Sequence, residues 1–510
     1  MAKANEKLVE ALRSLKKLQG KHSGVIESRD LKEAHRIILL DEGFLRPVMK
    51  GWYVCGNPRD KHGDSTAWYA SFWSFLAGYL GKRFGKRYCL NGEASILLHT
   101  HTTVIPRQIT VMTREGGASV LNLPHDTSML LYADEKHLPA TRVETSGLQV
   151  IPLVDALCSV GPRFFKSHPR EAEIALRLVR DPGDFLNVLL DGDGMPSAAA
   201  RLAGALRFMG RGMDADRIVD TMRLAKHNIY ESNPFEISKP TLGNSRERSP
   251  YALRIASMWM GGRDDVLSIF PAAPGLPRTP ENYLAQVDER YVADAYNSLS
   301  IEGYQVSDEL IERVAKGSWR PDDDERDKDN RDALAARGYF QAFQAVKASL
   351  TAILSGDNSG AIVRRAHHQW YGELFAPSVT AGIVAMHQLA GYRSGPIYIR
   401  NSMHTPLPRE ALADSMEMLF NLISQEPEAA VRAVLGHHLF VFIHPYFDGN
   451  GRMGRFLMNS MLASGGYPWT IIRMKSRGKY MSALETASVD GDIKPFAQFL
   501  VHEMQAWGAM

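Results

Sequence analysis

Residues 436–463 read GHHLFVFIHPYFDGNGRMGRFLMNSMLA: an apolar helix end, a loop of turn formers, and a second helix with an apolar face. In Asp448-Gly449-Asn450-Gly451 two glycines let the backbone take positive φ and turn its N–H groups toward one point, and the following helix adds the positive end of its dipole. The product is an anion cradle. Arg452 and Arg455, spaced i, i+3 at the start of that helix, lean over the same cradle, and two guanidinium groups suit a polyphosphate. Asp448 beside such a site is matched to a bridging Mg²⁺, a hard cation that takes one or two carboxylates plus phosphate oxygens. His444 is the one nearby side chain that exchanges a proton near neutral pH. An ordinary Asn-Gly turn flanked by a structural histidine would not call for the paired arginines.

This segment resembles the Fic domain, whose signature is His-x-Phe-x-(Asp/Glu)-Gly-Asn-Gly-Arg-x-x-Arg. It departs from that signature at Tyr446, where the family has Phe; the ring is kept and a hydroxyl that needs a partner is added. The resemblance implies a mainly α protein whose all-helical Fic core carries a β-hairpin flap. It also implies nucleotidyl transfer, most often of AMP from ATP, with Mg²⁺, to a Ser, Thr or Tyr hydroxyl of a target protein. In the family's roles His444 is the general base on that hydroxyl and Asp448 holds Mg²⁺. Gly449, Asn450 and Gly451 bind phosphate, and Arg452 and Arg455 hold the β and γ phosphates. Upstream, GYRSGPIYIRNS (391–402) resembles the flap, with Ile397, Tyr398 and Ile399 as the strand on which a target segment docks. Residues 467–488 continue the resemblance on the adenine side of the pocket.

Ser298-Leu-Ser-Ile-Glu302-Gly303 matches (Ser/Thr)-x-x-x-Glu-(Gly/Asn), the inhibitory motif of autoinhibited Fic proteins, in a helical stretch N-terminal to the core. A helix presenting Glu302 to Arg455 would form a charge-assisted pair and remove the guanidinium that should hold the γ-phosphate. In some family members the same glutamate positions a water that removes AMP, so de-AMPylation stays open. The alternative is an ordinary surface helix ending at Gly303.

The rest of the chain bounds this reading. Its 510 residues carry Lys+Arg 60 against Asp+Glu 57, a net charge of +3, with 45% hydrophobic residues, which is ordinary globular composition and room for two to four domains. Cys55, Cys89 and Cys158 show no CxxC or metal-like spacing, so a reducing, cytoplasmic setting is expected. The charged N-terminus lacks a signal core, and no stretch approaches a membrane span. Prolines and glycines become dense between 231 and 284, which reads as a linker. The division expected is 1–60 winged helix, 61–230 accessory region, mixed and then helical with Ser197 as an N-cap, 231–284 linker, and 285–510 Fic domain with its inhibitory helix. The acidic run 319–332 reads as a solvated loop, and the pairs His99/His101, His367/His368 and His437/His438 as structural.

Residues 10–60 resemble the winged-helix module of AbiEi-type antitoxins. The first fifty residues hold 11 basic and 7 acidic groups, a local patch that the whole-chain charge conceals. On that resemblance Arg29, Lys32 and Arg36 flank a recognition helix, and Arg46 and Lys50 sit on a wing near the phosphates of double-stranded DNA. Two functions are therefore carried forward. One is an autoinhibited protein adenylyltransferase; the other is a DNA-binding regulator or antitoxin-like protein that uses the Fic half as a nucleotide sensor. Other diphosphate-linked donors and an oligomeric state stay open.

Overall fold

A computed structural model describes residues 2–508 apart from 23, 59, 61–62, 115, 136–137, 192–193, 243–246, 248 and 318–330. Most of the acidic run at 319–332 thus lies outside the described residues. The chain is mainly helical and forms two compact units: residues 1–250 joined by Tyr398–Thr405, and residues 251–397 joined by 406–510.

The first unit begins with the helix Ala2–His22, whose Ala11 and Leu15 are buried. Strand β1 (Val25–Glu27), a single 3-10 turn at Ser28–Asp30, and the helix Glu33–Asp41 follow, and then β2 (Leu45–Met49) and β3 (Trp52–Cys55). The three strands order β1-β3-β2, all antiparallel. Where a winged-helix module has its second helix, this chain has only the 3-10 turn, because Asp30 Oδ2 accepts the Glu27 N–H at 2.9 Å and closes the turn after three residues.

Next come β4 (Tyr88–Leu90), β5 (Gln108–Thr113), β6 (Ser119–Leu123), β7 (Thr127–Ala133), β8 (Val143–Thr145) and β9 (Leu148–Val150). β5 and β7 pair in parallel at the centre of the sheet β4-β5-β7-β6. Short helices from Leu153 to Leu224 complete this part. The helix Pro196–Phe208 is capped by Met195 and not by Ser197, since Pro196 takes the first helical position, where its missing N–H costs nothing.

Two expectations are corrected. The stretch 231–284 is not a linker throughout: Pro250–Ile269 is a helix whose Leu253, Ile255 and Trp259 are buried in the second unit. Its prolines lie at the flanks, in the first turn and past the end, where they do not break it. The β-hairpin flap is also absent. Residues 391–402 contain no strand, and Pro396 removes a donor from the middle of the expected hairpin. The segment Tyr398–Thr405 is instead built into the first unit: Arg400 pairs with Asp64 at 2.8 Å, Thr405 N–H donates to the Thr103 carbonyl, and Ile105 N–H donates to that of Met403.

The second unit holds the helices Tyr291–Ile301, Arg331–Leu354, Ser359–Thr380, Arg409–Gln425, Ala429–Ile443, Asn450–Ala463, Arg477–Val489 and Lys494–Gly508. Ala429–Ile443 is apolar almost all round and nearly wholly buried, the pattern of a central helix. It delivers the motif loop to the surface of the unit.

Candidate active site

His444 follows the last turn of that central helix with φ 56° and ψ 60°, a left-handed conformation that stops the helix and swings the ring out of it. Its Nδ1 lies 3.0 Å from the Val441 carbonyl. A carbonyl only accepts, so Nδ1 carries the proton and Nε2 is left as the basic lone pair. Burial, reinforced by the Arg393 charge, pushes the imidazole down to about 4; the Val441 bond, Glu302 and Asp448 oppose this and lose. The ring is therefore neutral at physiological pH, the form a general base needs.

Gly449, at φ 79°, opens the helix Asn450–Ala463. A side chain there would be strained and would also crowd Phe375, whose ring is 2.9 Å from an ideal Cβ. At Gly451 a Cβ would stand 2.4 Å from Glu302 Oε1, so the glycine leaves the room that the Glu302 carboxylate now fills. Asn450 also holds the loop together. Its side chain is buried, its Oδ1 accepts the Tyr446 N–H at 3.0 Å, and its Nδ2 donates to the Tyr446 carbonyl at 2.8 Å. The amide thus braces the loop from both sides of the Tyr446 peptide. Asp448 is half-exposed beside the cradle, its Oδ1 accepting the Gly449 N–H at 2.6 Å and its Oδ2 lying 3.4 Å from Arg452 Nη2.

Both arginines are buried. Arg452 lies between the rings of Tyr304 and Phe375, 5.2 and 5.1 Å from their centres; its Nε has no hydrogen-bond acceptor, and its Nη2 meets the Asp448 carboxylate only as an ion pair, without a hydrogen bond. Arg455 donates from Nε to Ser298 Oγ at 2.9 Å and from Nη2 to the Ser298 carbonyl at 3.1 Å and to Glu302 Oε1 at 2.7 Å, while Nη1 has no acceptor. Buried guanidinium hydrogens without acceptors are costly, and an anion in the cradle would satisfy them. Glu302 caps the helix Tyr291–Ile301, and Gly303 at φ 90° ends it. Burial would raise the Glu302 carboxyl, but Arg455 and then Arg452 outweigh it and hold the group below the usual carboxylate range.

That helix is anchored at three points: Asp294 Oδ2 accepts from the Tyr339 hydroxyl at 2.9 Å and Trp469 Nε1 at 3.2 Å, Asn297 accepts the Met474 N–H, and Arg477 Nε donates to the Ile301 carbonyl. The hydroxyl that Tyr446 adds to the motif finds His368 Nδ1 at 3.2 Å, and its ring stacks on Tyr371 with centroids 3.7 Å apart.

The structure thus gathers His444, Asp448, Gly449, Gly451, Arg452, Arg455, Ser298, Glu302 and Gly303 within one unit. It does not gather the docking residues: Ile397 belongs to this unit, while Tyr398 and Ile399 fall in the first. The basic residues of the N-terminal module are partly engaged. Arg29 pairs with Glu27 at 2.8 Å, Arg36 donates to the Ser28 carbonyl at 3.0 Å, and Arg46 donates to the Asp64 carbonyl at 2.7 Å and pairs with Asp60; Lys32 and Lys50 are exposed. Sequence reading missed Tyr304, Phe375 and Arg393. Only Tyr304 had a signal, its place directly after the inhibitory motif.

Comparison with known proteins gives the same region an ancestry. A model of the Fic/DOC family matches residues 361–462. "Protein adenylyltransferase Fic" of Nematostella vectensis is 41% identical over 114 residues, 21% of this chain and 26% of that protein; its namesake in Drosophila virilis is 36% identical over 113 residues, 21% and 23%. The chain therefore matches about a quarter of the length of these curated relatives. Among solved structures, Fic-1 (aa134–508) from C. elegans covers 70% of this chain and 96% of its own at 15% identity and a TM-score of 0.37. The loop of His444 to Arg455 lies inside the matched region, and residues 361–462 are a Fic domain.

Proposed function

We propose that this chain is a protein adenylyltransferase that moves AMP from ATP to a Ser, Thr or Tyr hydroxyl of a target protein and is held off by Glu302. The observation that carries the reading is the neutral His444, with Nε2 as its free lone pair, beside a cradle in which two buried arginines have donors without acceptors. The target oxygen attacks the α-phosphorus and its proton passes to Nε2 of His444. The bond from the α-phosphorus to the bridging oxygen breaks, and pyrophosphate leaves with its charge held by Arg452, Arg455 and the main-chain N–H groups of Asn450 and Gly451 at the helix start. Among the described residues no cluster of His, Cys, Asp and Glu could hold a metal unaided. A single half-exposed carboxylate suits an ion shared with ATP oxygens, so Asp448 is the residue that would hold Mg²⁺, which when bound neutralises phosphate charge.

Glu302 supplies the brake. Its carboxylate is bonded to Arg455 and lies against Gly451, so it stands where a terminal phosphate would be bound. ATP entering beside it would be denied Arg455 and held out of line. Residues 397–399 remain the proposed docking segment, with Tyr398 exposed between the half-buried Ile397 and Ile399. The three free thiols fit a cytoplasmic setting, and among the described residues no helix is long and apolar enough to cross a membrane.

Labelling with α-³²P-ATP and Mg²⁺ tests the reading. Strong label on lysate proteins is expected with Glu302→Gly, little with wild type, and none with Glu302→Gly/His444→Ala. No label with folded Glu302→Gly would overturn it. The helices Ala2–His22 and Glu33–Asp41 beside the three-stranded sheet support a winged-helix reading of the N-terminal module, and contact with double-stranded DNA would rest mainly on the exposed Lys32 and Lys50. Its test is a gel shift that weakens steeply with salt.

A further inference from the structure

One buried cation outside the motif touches the backbone of the candidate base. Arg393 is 2% exposed, and four of its N–H groups reach carbonyls of three chain segments. Its main-chain N–H donates to the Pro445 carbonyl at 2.8 Å, and Nε donates to the His444 carbonyl at 2.8 Å. Nη1 donates to the Gly395 carbonyl at 2.8 Å, and Nη2 to that of Leu407.

The His444 carbonyl lies at a helix C-terminus, where acceptors are left over and the dipole favours a positive group. His444 holds a left-handed backbone that a non-glycine residue keeps only when its surroundings enforce it. Two bonds enforce it here. The Val441 carbonyl fixes the ring through Nδ1, and Arg393 fixes the peptide plane that follows. Without the second, the ring bond to Val441 is left to hold the left-handed residue with less support, and the aim of Nε2 loosens.

We propose that Arg393 is a positioning residue for His444: it fixes the carbonyl of the histidine so that Nε2 points at the reacting hydroxyl. By clasping Gly395 and Leu407 it also ties both ends of the intervening segment to the catalytic loop. This rests on the reading of His444 as the general base. The charged groups that face the ring are Arg393, Glu302 and Asp448, and of these Arg393 disfavours the imidazolium.

The test uses full-length protein with Glu302→Gly as parent. Adding Arg393→Gln should lower kcat on the order of 100-fold while KM for ATP stays within about two-fold, the signature of a displaced reacting group with intact binding. Adding Arg393→Lys, which keeps the charge and part of the bonding, should recover some of kcat. A raised KM with unchanged kcat overturns the proposal. If the Gln variant does not fold, the same split read in the Lys variant decides. A parent that transfers nothing is a failure of the transfer reading, and the Arg393 proposal is then judged by NMR titration of the His444 ring in ¹³C-histidine-labelled protein, assigned with His444→Ala. An upward move of the His444 midpoint in Arg393→Gln, absent in Arg393→Lys, supports it; an unmoved midpoint in Arg393→Gln overturns it.

Discussion

Replacing Glu302 by Ala should unload a spring that nucleotide can reload. The Arg455 side chain is 4% exposed and that of Glu302 24%, and their N to O distance is 2.7 Å. Removing one partner of a buried pair costs about 3–5 kcal/mol, because the other charge is left without an answer. The partial exposure of Glu302 favours the lower end, about 3 kcal/mol. The unit that carries the pair, 251–397 with 406–510, has about 250 residues, and in a unit of that size 1 kcal/mol moves the melting temperature by about 2–4 °C. The variant's C-terminal transition should therefore fall by about 6–12 °C. A triphosphate would supply the missing anion: at 100 times its Kd it returns about 2.7 kcal/mol to the variant. Wild type, whose Arg455 is already paired, should gain far less. Differential scanning calorimetry with and without a non-hydrolysable ATP analogue and Mg²⁺ measures both effects. A variant that melts with wild type, or a nucleotide shift equal in the two, would refute the view that Glu302 occupies the place of a phosphate.

Three further outcomes are expected. Because burial holds the His444 imidazole near 4, it stays unprotonated above about pH 5, and kcat of Glu302→Gly should be flat from pH 5.5 to 8; a half-maximum near 6.5 would mean that the ring is solvated. Burial raises Asp294 to about 6 against the pull of Tyr339 and Trp469, so its neutral form is favoured in the fold and the stability it lends, present below about pH 4, is lost as pH rises to 6. Asp294→Asn should then exceed wild type above pH 6 by up to about 3 kcal/mol and match it near pH 4, read as the difference between urea midpoints of the two chains. Tyr446→Phe removes the bond to His368 but keeps the stack on Tyr371; it should cost about 1 kcal/mol by the same assay and leave labelling within a few-fold of its parent.

What could be read from the residues alone was what is local. His444 to Arg455 is one contiguous loop and helix start, where glycine positions and arginine spacing dictate a cradle before any tertiary contact is known. Strands β5 and β7 were legible because each is a short run rich in β-branched, aromatic and other apolar residues between polar, glycine-bearing spacers. Glu302 and Arg455, 153 residues apart, met only through the family pattern, since nothing in either local sequence names the other. Arg393 was illegible for a different reason: its acceptors are main-chain carbonyls, which every residue carries, so no side-chain pattern marks them. The bracing role of Asn450 was illegible as well, because its partners are the main-chain groups of Tyr446. The flap was misjudged because its expected partner strand competes with Asp64, Thr103 and Ile105, which lie some three hundred residues earlier.

The placement of Tyr398–Thr405 in the first unit bears on how the protein is made. The N-terminal unit cannot complete itself when residue 250 leaves the ribosome, for one of its pieces is encoded about 150 residues later. At about 5–20 residues per second that is a wait of roughly 8–30 s. Throughout it Asp64, whose side chain in the finished protein is 1% exposed, has no Arg400, and the edge from Thr103 to Ile105 has no Met403 or Thr405. A fragment ending at residue 250 would keep that open edge permanently, so nascent chains in this interval, and truncations that imitate them, should be the forms that chaperones hold.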